Sequence, residues 1–170
     1  MALTTAQLIG TPADGVDLNR NVEIGIKATG SSTAIAVGRV AFLQTNGEWL
    51  IATDGSVGRM GIIPNLDPIN VDADDTLQVA TGLDSQWYVE FSATVVPGQR
   101  CAPSSGGKLK AYTSGDVTAT PTESTIEAAI QDFERAPFVY EGHYGEGSGL
   151  ANKATNVTVG QAGRVRIVKQ

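Results

Sequence analysis

Apolar and polar residues alternate with a period of two along much of the chain, the pattern of half-buried β-strands. In the longest run, Trp87, Val89, Phe91, Ala93 and Val95 alternate with Tyr88, Glu90, Ser92 and Thr94. This predicts a strand over 87–95 with the first set packed and the second set wet. Pro97 then fixes φ for the first central position of a tight turn, and Gly98 accepts the positive φ that a type II turn asks of the second. The chain is expected to reverse there and run back through a short strand at Cys101. A second reversal at Ser104-Ser105-Gly106-Gly107 leads to a return strand with Leu109 and Ala111 on one face and Lys108, Lys110 and Tyr112 on the other. Residues 87–118 thus read as a meander at the centre of the fold.

Upstream, Val22, Ile24 and Ile26 alternate with Glu23 and Lys27 to give a first strand, and Gly30-Ser31-Ser32 turns the chain. Strands over 40–44 and around Trp49 and Ile51 flank Asn46-Gly47, both of which tolerate the positive φ of a type I′ hairpin turn. Asp54-Gly55 ends the second of these, 60–63 and 77–80 read as short strands, and 65–76 is an acid-rich loop. One helix is predicted over 121–135. Thr120 caps it, Pro121 suits its first position and Glu123 completes the capping box, while Ile126, Ala129, Ile130 and Phe133 share a face and Pro137 ends it. Beyond it, Phe138, Tyr140, Gly142 and Tyr144 lie opposite Val139, Glu141 and His143, and the Gly-rich loop 145–149 follows. Segments 156–159 and 163–168 close the chain, Val165 and Ile167 facing in and Arg164 and Arg166 out.

The expected architecture is therefore all-β: a compact barrel or sandwich of short antiparallel strands and hairpins with one short helix. Residues 20–170 form a single β domain, and residues 1–19 an extended arm whose Leu3, Leu8 and Ile9 dock on another surface. Twenty glycines and seven prolines in 170 residues agree with many short strands joined by turns. The net charge of −6 disfavours a phosphate-neutralising face and hence nucleic acid as a partner. The charge is also split. Asp54, Asp67, Asp72, Asp74, Asp75, Asp84 and Glu90 face only Arg59 across 54–90, whereas Lys153, Arg164, Arg166 and Lys169 follow Glu146 with no acid. Such asymmetry sets the register of a contact between chains, which adds Arg164 and Arg166 to the interface candidates.

Catalytic chemistry finds few materials. His143 is the single histidine and Cys101 the single cysteine, and neither lies in a nucleophile context; no disulfide framework is possible. Gly147-Ser148-Gly149 is no nucleophile elbow. Asp72, Asp74 and Asp75 resemble the start of a calcium loop but lack its glycine and distal glutamate, so no metal or other cofactor is expected. Trp49 and Trp87 occupy inward strand positions and read as core rather than as sugar-stacking platforms. With no signal peptide or membrane-length apolar run, the chain is expected to be soluble, made in a cytoplasm and free of membrane contact, and the sequon at Asn156 to carry nothing.

The run 90–118, with Pro97-Gly98, an apolar Cys101 and then Gly107-Lys108, resembles the capsid cement or decoration proteins of tailed-phage heads. Residues 136–144 and 163–168 are similar to that family's returning and final strands, so the resemblance spans 37–168. The chain departs from the family in its acidic loop at 65–76 and in the helix near Ile126. The resemblance implies a non-enzymatic virion structural protein, a homotrimer or homodimer. It would bind the outer surface of an icosahedral head between major capsid protein subunits and stabilise it. A tail or baseplate protein and a carbohydrate-binding module remain as alternatives.

Overall fold

The computed structural model describes residues 9–12, 22–28, 35–65, 76–112, 126, 136–142 and 156–168. They form an almost entirely β structure in two parts. The first is a closed barrel of β1 (Val22–Lys27), β2 (Val40–Leu43), β3 (Glu48–Ile51), β4 (Met60–Ile62) and β5 (Thr76–Ala80), ordered β1-β3-β2-β4-β5. The second is a sheet of β6 (Gln86–Glu90), β7 (Arg100–Pro103), β8 (Leu109–Ala111), β9 (Phe138–Gly142) and β10 (Ala162–Ile167), ordered β6-β10-β9-β7-β8. All pairings in this sheet are antiparallel, whereas the barrel closes through one parallel pair, β1 with β3. The helix over 121–135 lies outside the described residues except for Ile126, which is helical and exposed.

The β2–β3 hairpin forms as expected, but not through a type I′ turn. Gly47 N–H donates to the Gln44 carbonyl (3.0 Å) and Gln44 N–H to the Glu48 carbonyl (2.8 Å), which makes a three-residue loop. Gly47 alone takes positive φ (86°). This is a type I turn followed by a glycine bulge. The Asn46 side chain, freed from the left-handed position, accepts from Glu48 N–H (3.1 Å).

The meander differs more from the expected arrangement. β7 and β8 pair through the turn at Ser105–Gly107, and Gln99 N–H donates to the Val96 carbonyl (3.1 Å) in the Pro97-Gly98 turn. Yet β6 is not their neighbour, because β10 and β9 insert between β6 and β7. Nor does the strand run unbroken to Val95. It stops at Glu90, since Phe91 N–H donates to Gln161 and Ser92 N–H to Leu109, which draws the chain across to β8. An isolated bridge joins Phe91 to Leu109, so the sheet curls until its two edges meet. Tyr88, expected to be wet, is buried.

Two cores follow from the alternation. Ala41, Trp49, Leu77 and Val79, with Ile63, fill the barrel. The opposite faces of β2 and β4, carrying Val40, Met60 and Ile62, join Trp87, Val89, Phe91, Phe138, Tyr140, Val165 and Ile167 in one larger core shared by barrel and sheet. The Phe91 and Tyr140 rings meet edge to face, centroids 5.3 Å apart.

Candidate interaction surface

Strand β1 inverts the usual arrangement. Gly25 pairs with Leu77 and Lys27 with Trp49, so these two positions of β1 share the interior face with core residues. The cause is the indole of Trp49. A Cβ on residue 25 would lie 2.2 Å from Trp49 Cδ1, so only glycine fits beside the ring. With a side-chain period of two, Gly25 inside puts Ile24 and Ile26 outside. Ile24 is 75% exposed and Ile26 52%. Their outward neighbours are Gln78 and Thr76 on β5 and Glu48 on β3, with half-buried Leu50 further along β3. Lys27, by contrast, is buried. Burying both isoleucines against a partner is worth about 2–4 kcal/mol, which the free chain forgoes.

The N-terminal segment supplies a second feature. Gly10 N–H donates to the Tyr88 carbonyl (2.8 Å), Tyr88 N–H to Thr11 (3.0 Å), and Asn65 N–H to the Gly10 carbonyl (2.7 Å). Pro12 bridges to Trp87. Residues 9–12 therefore form a turn and a single bridge, hydrogen-bonded to β6 on one side and to the chain leaving β4 on the other. Gly10 and Gly38 make this close approach possible. A Cβ at 38 would strike Ile9 Cγ2 at 2.1 Å, and one at 10 would lie 2.9 Å from Asn65 N. Of the arm residues singled out from sequence, Leu3 and Leu8 lie outside the described residues, and Ile9 packs against Tyr88 and Ala162 of its own chain.

Arg164 and Arg166 face outward from β10 as expected. Arg166 Nε donates to Glu141 Oε1 (2.6 Å) and its Nη1 reaches Asp84 Oδ1 (3.4 Å). The hydrogen bond and charge of Glu141, with a smaller contribution from Asp84, raise the guanidinium pKa further. Arg164 donates to the Glu141 carbonyl (3.4 Å). Both arginines thus fasten β10 to its own neighbours.

Elsewhere, charged groups also join elements. Glu90 on β6 meets Arg39 Nη2 (2.7 Å) from the barrel and Lys108 Nζ (2.5 Å) from the β7–β8 turn. Arg59 meets Glu23 and Lys110 meets Asp54, each at 2.6 Å. Burial pushes the Cys101 thiol up to about 12, the direction of an unreactive thiol, and raises Tyr140 as well. Among the described residues no His, Cys, Asp and Glu cluster is arranged to hold a metal; Asp72, Asp74, Asp75 and His143 lie outside them. Trp49 and Trp87 are both buried, so neither offers a stacking face for a sugar. No described helix is long and apolar enough to cross a membrane.

The chain matches no protein-family model and no curated protein. Sequence reasoning missed the outward face of β1, because Val22, Ile24 and Ile26 alternate as an ordinary packed set would. The available signal was Gly25, a residue without a side chain in mid-strand, which marks a close approach.

Proposed function

We propose that this protein is a non-enzymatic virion structural protein of the capsid cement class. It sits on the outer surface of an icosahedral head, as a small homo-oligomer, where major capsid protein subunits meet. The reading rests on the resemblance over 37–168 and on one observation. Residues 9–12 lie along the β6 edge of the sheet and are hydrogen-bonded on both sides, to Tyr88 and to Asn65. Residues 1–8, which carry Leu3 and Leu8, directly precede this stretch in sequence, and strand addition to a neighbouring subunit is the role proposed for them.

Packed DNA pushes the subunits of a head apart, and a ligand that binds only the assembled lattice stabilises it by mass action. Small contacts suffice when many copies and several sites per oligomer act together. The test is removal of residues 1–8, which leaves residues 9–12 in place. The shortened chain is expected to fold with an unchanged melting temperature and to lose its hold on shells prepared without the protein. Equal occupancy by the shortened and full chains would refute the role of the arm. A gel of purified virions separates a head clamp, present in lattice-matched copy number, from a tail or baseplate component, present in few copies.

A further inference from the structure

We infer that the outer wall of β1 is a docking surface, and that its occupant is an apolar patch with a neutral or basic rim, repeated on the assembled shell. This rests on the proposed function and names the face that meets the lattice.

Trp49 admits no side chain at residue 25, so the barrel cannot close with the isoleucines inside. Strand β1 nevertheless carries β-branched apolar residues at 24 and 26, where a wall facing only water is served by threonine or a charged residue. The neighbouring exposed positions, Thr76 and Gln78, are of that polar kind. The apolar pair is thus local to β1 and stands out from its own barrel.

Size selects the occupant. A stable two-chain interface buries about 800 Å² on each partner around a substantial apolar centre. Two isoleucines, with half-buried Leu50 further along β3, fall well short of such a centre, so the wall does not hold a second copy as a free-standing dimer. It fits a weak contact repeated many times, as on a lattice. Charge selects the rim, because a chain with a net charge of −6 is repelled by an acidic neighbour. Glu48, paired directly with Ile26, places a carboxylate at the border.

The experiment uses the full chain with Ile24→Thr and Ile26→Thr together. Threonine keeps the β-branched shape that suits a strand. Co-sedimentation with purified shells lacking this protein is measured beside a thermal melt and the solution mass of the free protein. The double variant is expected to keep its melting temperature and mass and to lose shell occupancy about tenfold or more. Leu83→Ser, which removes an exposed leucine outside the wall, is expected to bind like the parent. Ile24→Thr alone, at the more exposed position, serves if the pair disturbs folding and should lose part of the occupancy. Undiminished occupancy of a folded variant overturns the docking surface while leaving the proposed function standing. A changed solution mass with undiminished occupancy assigns the wall to a second copy and also overturns it. Failure of the parent chain to bind any shell overturns the proposed function and the wall's partner with it.

Discussion

Alanine at position 25 tests whether one tryptophan dictates the facing of β1. The new methyl carbon would sit 2.2 Å from Trp49 Cδ1 and 2.3 Å from Nε1, more than 1 Å inside the ~3.5 Å of a good carbon contact. Trp49 is 2% exposed among Leu77, Val79 and Ala41, so its ring has no free space to retreat into. Overpacking of this kind costs about 1–3 kcal/mol. Replacing a strand glycine returns roughly 0.5–1 kcal/mol of backbone entropy. The net loss is about 0.5–2 kcal/mol, or ~1–8 °C in Tm for a chain of this length. Urea unfolding followed by tryptophan fluorescence measures it. Trp49→Phe makes room beside residue 25, so Gly25→Ala should cost less in that background, with a coupling energy above ~0.5 kcal/mol and Trp87 as the remaining reporter. If Gly25→Ala proves neutral, or strictly additive with Trp49→Phe, the ring does not set the register and the outward isoleucines need another cause.

Three further outcomes are expected. Glu90→Gln leaves Arg39 and Lys108 without their shared carboxylate at a site where the Glu90 side chain is 13% exposed, and should cost about 1–3 kcal/mol in urea melts. Cys101 ionises near 9 in the unfolded chain and near 12 when buried, so the unfolded state gives up its proton first. Stability from the neutral thiol is whole below pH 9 and falls as pH rises toward 12; Cys101→Ala should flatten that decline, and a thiol reagent should label the parent only after unfolding. Gly47→Ala meets open space but must hold φ near 86°, so it should cost about 1–2 kcal/mol from backbone strain alone.

Local signals were legible wherever the determinant was local. The hairpin at Asn46-Gly47, the Pro97-Gly98 reversal, the short β4 and β5 and the inward set Val165 and Ile167 all form where turn chemistry and period two put them. The exact turn at Asn46 escaped because a three-residue loop and a two-residue loop both accept Asn-Gly. Strand order escaped for a different reason. That β10 enters between β6 and β9 depends on pairings some 75 residues apart, Val165 with Trp87 among them, and no turn residue records them. Alternation predicts a wet Tyr88 because it sees one covered face; residues 9–12 cover the other. At the candidate surface, the outward placement of Arg164 and Arg166 was legible, while their engagement by Glu141 and Asp84 was not.

The two candidate contact features sit on one mechanical body, and this bears on how the proposed clamp would work. The wall belongs to β1 of the barrel, and residues 9–12 lie between β6 of the sheet and Asn65, just beyond β4. Barrel and sheet share the larger apolar core, and the Arg39–Glu90–Lys108 group and the Gly107 N–H to Ala52 carbonyl bond (2.9 Å) cross the same junction. Effective concentration between two contacts is high only while their separation is fixed to match the two sites. Were the wall and residues 9–12 on bodies free to turn, engagement of one would do little for the other. Loosening the junction at Glu90 should therefore weaken shell binding beyond what its loss of stability explains, although Glu90 belongs to neither contact.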